Sequence, residues 1–560
     1  MRSHYLDVAG LQLHLRTGGD GPPVVMLHPS PLSSTAILPI AEGLARHFRV
    51  YAFDTPGYGL SDQLPRQPDS LDAYLPIFAQ ALDALDLGCV CLYGCATGAQ
   101  LAVEFAKRWP ERIALLVLDT AGHIDSNECE RIVRDYFPDV TPQRDGRHLV
   151  TLWQMVRDLF VFFPWCDSRE VSRVDRDLPP PAVMQAMLLD YLRAGERYDW
   201  AYRPAFYNER AERTQAVRVP AVLTRWQGSI ALRITDALID SGLPPNFEVL
   251  RLGPSMAERI DGIVAHLRAR YSGPSAPAVP STRPSAAAAG DLRRRFLDAP
   301  VGPLHARYAA SGTETPLVML HSATGSGALL ARAASGWVGR RPVLVLDLPG
   351  HGESPWPADA DAVSAGPLEL AVDAVEAAVA ALGFDEVGIL GQHYGALVAL
   401  EYARRRPRRV RQVIAVGLPW LLAEESVAAG EDAAPSIVPV GDGTHLIRAW
   451  YMMRDSALWF PQHRKQRSHA LRVDPHFDAR AIHERVVELM KIGDRYRDVM
   501  RAQAEYPLAE RLGEIRCDLL IGRVAGDGFG TRAEFAASAA ARARIVDLPR
   551  DAGQWAAARD

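Results

Sequence analysis

The chain has 560 residues, too many for one hydrophobic core and enough for roughly two to four domains. Apolar residues make up 48% and charged residues 23%, and the net charge of -5 offers no electrostatic case for nucleic acid or an anionic membrane surface as partner. Six cysteines with no CxxC pair exclude a disulfide scaffold, and neither a signal-like apolar stretch at the N-terminus nor a bilayer-length apolar run is present, so a cytoplasmic protein with reduced, mostly buried thiols is expected.

In chain order, short apolar runs at Pro23–Leu27, Arg49–Phe53, Val90–Tyr93 and Arg112–Leu118 read as strands. Between them Ser34–His47, Leu71–Leu87 and Gly98–Trp109 have helical periodicity. That alternation predicts an α/β fold, a mostly parallel sheet with helices on both faces and a ligand site at the carboxyl ends of the strands. From about His123 to Thr214 the alternation stops, and a long, helical, aromatic-rich stretch reads as an inserted cap. A terminal helix is expected over Ile260–Tyr271.

The pattern then starts again. Val25-Met26-Leu27-His28 recurs 293 residues later as Val318-Met319-Leu320-His321, and Asp54-Thr-Pro-Gly-Tyr-Gly59 recurs at the same spacing as Asp347-Leu-Pro-Gly-His-Gly352. Gly94-Cys-Ala-Thr-Gly-Ala99 matches Gly391-Gln-His-Tyr-Gly-Ala396 at 297, as Asp145-Gly-Arg-His-Leu149 matches Asp442-Gly-Thr-His-Leu446. Four motifs in one order imply a duplication. The domains are therefore expected at 1–271, with its cap at about 123–214, and at 292–560, with its cap at about 421–508. A Pro/Ala/Ser-rich linker, 272–291, joins them. Fusion of two copies allows an intramolecular pseudo-dimer.

A strand, a G-x-x-x-G turn and a helix in succession form a nucleophile elbow. With the His28 and His321 turns and the Asp-x-Pro-Gly-x-Gly loops, the chain resembles the α/β-hydrolase superfamily over nearly all of both modules, each with a helical cap. The resemblance implies Ser, Asp or Cys at the elbow apex, an acid after the penultimate strand and a histidine after the last. The first module departs at each point. The first apex is Ala96, followed by Thr97, a degenerate elbow without a nucleophile; Cys95 beside it reads as packing. No carboxylate stands in Leu223–Gly228, and His266 falls on a helix face.

The second module keeps more. His393 stands at the apex, Asp527 follows the penultimate strand, and Gln554 replaces the expected histidine in Gly553-Gln554-Trp555. Asp527 reads equally as a turn former. The N–H of Tyr394 and that of Ser322 or Ala323 are expected to form the oxyanion hole, and His28, His321, Asp54 and Asp347 to support the loops. In the cap, His445, Trp450 and Arg454 are candidate substrate-binding residues, Arg454 for an anionic group; packing for Trp450 and a carboxylate partner for Arg454 are the structural alternatives. The second module also has only six residues after Gln554, so its last helix is expected to be short or absent, leaving part of one sheet face exposed or covered by the other module. No metal constellation or phosphate loop appears, so no metal or cofactor is expected. The leading expectation is an enzyme acting on a small carbonyl compound or ester through His393, with the first module degenerate. The competing one is a non-catalytic ligand-binding or scaffold protein.

Overall fold

The computed structural model describes residues 1–278, 291–357, 366–421, 433–475 and 477–559. Two compact units emerge: Met1–Thr141 with His148–Thr282, and Arg283–Asp560 with Pro142–Arg147. Most of the expected linker, 279–290, and residues 422–432 of the second cap lie outside the described residues.

Unit 1 contains one eight-stranded sheet: β1 (Arg2–Val8), β2 (Leu11–Gly18), β3 (Pro23–Leu27), β4 (Arg49–Phe53), β5 (Val90–Cys95), β6 (Ile113–Asp119), β7 (Ala221–Trp226) and β8 (Phe247–Leu252). Their order is β1-β2-β4-β3-β5-β6-β7-β8. Strands β3 to β8 run parallel, while β1 and β2 pair antiparallel and β2 lies antiparallel to β4. Unit 2 repeats the order with β9 (Arg293–Leu297), β10 (Leu304–Ala309), β11 (Leu317–Leu320), β12 (Val343–Leu346), β13 (Val387–Gln392), β14 (Val410–Val416), β15 (Asp518–Val524) and β16 (Ala543–Leu548).

Burial follows from this layering. All of β3 and β5 are buried, because helices cover both sheet faces and leave no polar side for alternate residues. The strand order reverses between β3 and β5, and between β11 and β13 in unit 2, which opens a crevice at their carboxyl ends. Both elbows stand at that reversal. The caps enter between β6 and β7 as helices Ser126–Tyr136, Arg147–Asp158, Pro181–Ala194 and Tyr202–Asn208, and between β14 and β15 as Thr444–Asp455, Ala479–Ile492 and Tyr496–Glu505.

Several boundaries differ from expectation. The antiparallel strands β1 and β2 are added before the first expected strand. Pro39 confines the first helix to Leu38–Leu44 after a 3-10 turn, since a proline has no N–H for the preceding turn. Cys89 lies just before β5 and is exposed, while Cys91 is buried. Unit 1 ends in Met256–Arg270, started by a capping box between Ser255 and Glu258. Among the described residues after β16, unit 2 has 3-10 turns at Ala552–Gln554 and Ala557–Arg559 and no α-helix. There Trp555 and Ala556 bury beside Trp337 and Leu330, covering sheet surface from within the same unit. No described helix is long and apolar enough to cross a membrane, and no described group of His, Cys, Asp and Glu is arranged to hold a metal.

Candidate active site

The two elbows have the same backbone. Ala96 has φ 49 and ψ -114; His393 has φ 49 and ψ -113. An L-residue held there costs roughly 1–3 kcal/mol, so the surroundings must impose the turn. Glycines do so by removing side chains. A Cβ on Gly94 or Gly391 would collide with the carbonyl of Gly98 or Gly395, and a Cβ on those residues with the carbonyl of Leu27 or Leu320. The G-x-x-x-G spacing is therefore where strand, elbow helix and neighbouring strand meet too closely for any side chain.

At the second apex the imidazole reaches the loop after β15. His393 Nε2 lies 2.8 Å from Asp527 Oδ2, with 28% and 12% of the two side chains exposed. Asp527 Oδ1 accepts the Phe529 N–H at 2.9 Å, so the same carboxylate shapes its own turn and holds the ring. Burial would raise the pKa of Asp527, but the charge and hydrogen bond of His393, with the amides of Phe529 and Gly530, outweigh it and hold the carboxyl below its ordinary value. An ionised carboxylate accepts only, so Nε2 is the nitrogen that donates, and Nδ1 has no hydrogen-bond partner among the described residues. Gly417, at φ 58, makes room: a Cβ there would strike both the carboxylate and the ring. Phe529 lies 5.4 Å from the imidazole centre, and Phe460 of the cap 4.8 Å from Phe529.

Beside the elbow, His321 fixes the expected oxyanion turn. Its Nε2 accepts the Leu348 N–H at 3.0 Å and its Nδ1 donates to the Ser322 carbonyl at 2.9 Å, which defines one neutral tautomer. Burial lowers its pKa, consistent with that neutral form. The peptide N–H of Ala323 points opposite to the tethered carbonyl. His351, pushed down to about 3 by burial with the neighbouring His321, places Nε2 3.2 Å from the Ala323 carbonyl. The Tyr394 N–H is among the first amides of helix Tyr394–Arg405, which lack intrahelical acceptors. The Tyr394 side chain itself is buried, with its hydroxyl unpartnered among the described residues.

Asp347 does more than stabilise its own Pro-Gly turn. It accepts the Glu353 N–H at 3.0 Å, the Gly327 N–H at 2.7 Å, and His305 Nδ1 at 2.8 Å. Unit 1 repeats the arrangement with Asp54, Leu60, Ser34 and His14. These His–Asp pairs were not foreseen, although each histidine occupies the same place in its repeat. His28 likewise accepts the Thr55 N–H at 2.8 Å.

The first apex is chemically closed. Below Ala96, Asp119 Oδ2 accepts Arg259 Nη2 at 2.7 Å and the Tyr93 hydroxyl at 2.5 Å, and Oδ1 accepts the Thr224 hydroxyl at 2.7 Å. The Arg259 guanidinium also sits 4.3 Å over the Trp226 ring. Cys95 is buried against this cluster and burial pushes its thiol up to about 11, far from a nucleophilic thiolate. Thr97 is buried at the start of its helix, and Thr120 takes the backbone conformation that Gly417 has in unit 2.

Four expected site residues make no hydrogen bond or ring contact with the His393–Asp527 pair. Gln554 is exposed on a 3-10 turn packed beside helix Gly327–Ser335 and makes no side-chain hydrogen bond to His393 or Asp527. The imidazole instead comes from the elbow. Trp450 is fully buried, as packing requires. His445 is buried, accepts the Val440 N–H at 3.3 Å and is pushed down to about 4 by burial, a local tie at the start of its helix. Arg454 pairs with Asp455 at 3.1 Å and lies 4.7 Å over the Phe477 ring.

A profile of the alpha/beta hydrolase fold matches residues 22–151 and again 315–434. The pimeloyl-[acyl-carrier protein] methyl ester esterase of Nitrosomonas europaea is 35% identical over 106 residues, 19% of this chain and 40% of that protein. The 2-hydroxy-6-oxononadienedioate/2-hydroxy-6-oxononatrienedioate hydrolase of Klebsiella pneumoniae is 36% identical over 120 residues, 20% of this chain and 41% of that protein. The chain thus spans about two fifths of the length of these curated relatives. Among solved structures, a meta-cleavage product hydrolase from Pseudomonas fluorescens IP01 shares 18% identity with a TM-score of 0.36, covering 48% of this chain and 98% of that one.

Proposed function

The chain belongs to the α/β-hydrolase superfamily, carrying its fold twice, and on that premise we propose that unit 2 hydrolyses a small ester or ketone with His393 as general base and Asp527 as the group that orients it. Unit 1 is the degenerate partner. The observation carrying this reading is the 2.8 Å contact between His393 Nε2 and Asp527 Oδ2, which leaves Nδ1 as the nitrogen turned to other partners. The ring stands at the apex, so it occupies the space between elbow and acid that a loop histidine otherwise fills. With no hydroxyl or thiol at the apex, water is the nucleophile.

In this mechanism Nδ1 takes a proton as the water oxygen bonds to the carbonyl carbon. The N–H groups of Tyr394 and Ala323 donate to the oxygen that gains charge. The imidazolium, stabilised by Asp527, then returns the proton to the departing alkoxide or carbanion as its bond to carbon breaks. The matched relatives act, by name, on a methyl ester and on oxo-dienedioates, and this support extends to carbonyl hydrolysis as a class.

Turnover of short methyl and aryl esters and of 1,5-diketones tests the reading. His393→Ala should lose about 100-fold or more, and Asp527→Asn at least about tenfold. Equal turnover in wild type and His393→Ala would refute it. Complete inactivity of the wild type would favour the second reading, a non-catalytic binding or scaffold protein, which has the aromatic cover of Phe529 and Phe460 in its favour.

A further inference from the structure

The carboxylate of Asp527 stands on a pliable stretch of chain. It lies between Gly526 and Gly528, and glycine leaves the backbone more conformational freedom than any other residue. Within the loop, the Asp527 N–H donates to the Val524 carbonyl at 3.1 Å and the Gly530 N–H to the Asp527 carbonyl at 3.0 Å. Both bonds are internal to the loop and move with it.

The cap of unit 2 holds that loop from outside. Phe460 is anchored by a short antiparallel pairing of Trp459 with Ala470, in which the Phe460 N–H donates to the His469 carbonyl at 2.9 Å. Its ring packs edge-on against Phe529, with 4.8 Å between centres and 74° between planes. It also lies so close over Gly528 that a Cβ there would collide with it. Arg532 completes the seat: its guanidinium sits 5.0 Å over the Phe460 ring and donates to the Trp420 carbonyl at 2.8 Å. On the other side of Asp527, Arg550 donates to the Ala525 carbonyl at 2.9 Å and to the Asp474 carbonyl of the cap at 3.1 Å. The cap therefore grips the loop both before and after its carboxylate, and Phe529 carries the contact on to the His393 ring, 5.4 Å away.

Unit 1 keeps the aromatic residue at the corresponding place in its cap, Phe163, 297 residues earlier. The loop after β7, Gln227–Ala231, has neither a carboxylate to position nor an aromatic ring to meet it. The seat is complete in the unit that has the His–Asp pair.

We propose that Phe460 is a positioning residue of the His393 site: seated on Gly528 and Phe529, it holds Asp527 at hydrogen-bonding distance from His393, and the pair comes apart when cap and loop separate. A bond of 2.8 Å is lost when its atoms draw apart by about 1 Å, so a small shift of the loop suffices. That the pair serves hydrolysis rests on His393 acting as the base; its dependence on Phe460 does not.

Nitrogen-15 spectra of the full chain with labelled histidine read the pair without turnover. The His393 ring signals are those that vanish in His393→Ala, and Asp527→Asn gives the ring without an ionised partner. Wild type should show Nε2 as the protonated nitrogen. Phe460→Ala should move the His393 signals at least halfway to their positions in Asp527→Asn, while those of the buried His321 and His351 stay in place and report an intact fold. Phe460→Leu, which keeps an apolar side chain in the seat, should restore part of the wild-type position. On the esters that test turnover, Phe460→Ala should lower kcat about five- to twentyfold. In an Asp527→Asn background, where no carboxylate remains to be placed, the same change should cost less than about twofold. Unmoved His393 signals in both Phe460 variants, a wild-type ring protonated on Nδ1, or an equal loss of kcat in both backgrounds would overturn the proposal. Shifted signals in a chain without turnover would support Phe460 as the residue that places the pair while removing His393 as base.

Discussion

At the residue scale, the site depends on space as much as on charge. Gly417 at φ 58 leaves the volume in which the His393 ring and Asp527 carboxylate meet. Gly417→Ala should therefore separate the pair and reduce turnover at least as far as Asp527→Asn does, which steady-state kinetics on the same ester measures. In unit 1, burial raises the Glu209 carboxyl to about 8, against the opposing hydrogen bonds from the Gly122 amide and the Gln100 side chain. The folded state then keeps a proton that the unfolded state releases above about 4.5, so unit 1 loses stability as pH rises from there to about 8. The slope is at most about 1.4 kcal/mol per pH unit. Glu209→Gln removes this contribution, and denaturant midpoints across pH 5 to pH 8 should flatten relative to wild type.

At the element scale, the elbow turn is present whether or not its apex carries a functional group. Ala96 holds the same strained conformation as His393 because Gly94 and Gly98 still pack strand, turn and helix together. Gly98→Ala should destabilise unit 1 by about 3 kcal/mol, where an ordinary exposed helical glycine gains roughly 1 kcal/mol from the same change, since its Cβ would meet backbone and not a movable side chain. Thermal unfolding measures that loss. Beneath the same elbow the Asp119–Arg259 pair is buried, at 0% and 9% side-chain exposure. Arg259→Met leaves the carboxylate uncompensated and should cost about 3–5 kcal/mol, read from chemical denaturation.

At the scale of the whole molecule, duplication provides an internal comparison. The two sheets have the same strand order, the same elbow and the same His–Asp support beneath the Pro-Gly loops. They differ at the apex and in the loops after β7 and β15. Restoring one difference should not be enough. Ala96→His in a His393→Ala chain is expected to remain inactive, because the loop after β7 offers no carboxylate to orient the new ring; recovered turnover would contradict that account.

Most of the fold was legible from local pattern. Apolar runs, helical periodicity and a repeated motif order depend on short segments whose burial is decided nearby, and the glycine spacing of the elbow encodes a steric requirement in five residues. Other features were decided only when distant segments met. Asp527 could be read as turn former or acid; in the folded chain one of its oxygens accepts the Phe529 amide and the other meets His393. Gln554 aligned with a familiar loop but is carried out to the surface. Sequence determines which groups are present and which backbone shapes they permit. Tertiary structure decides which of them meet, because side-chain chemistry acts over a few ångströms and these partners are separated by tens to hundreds of residues.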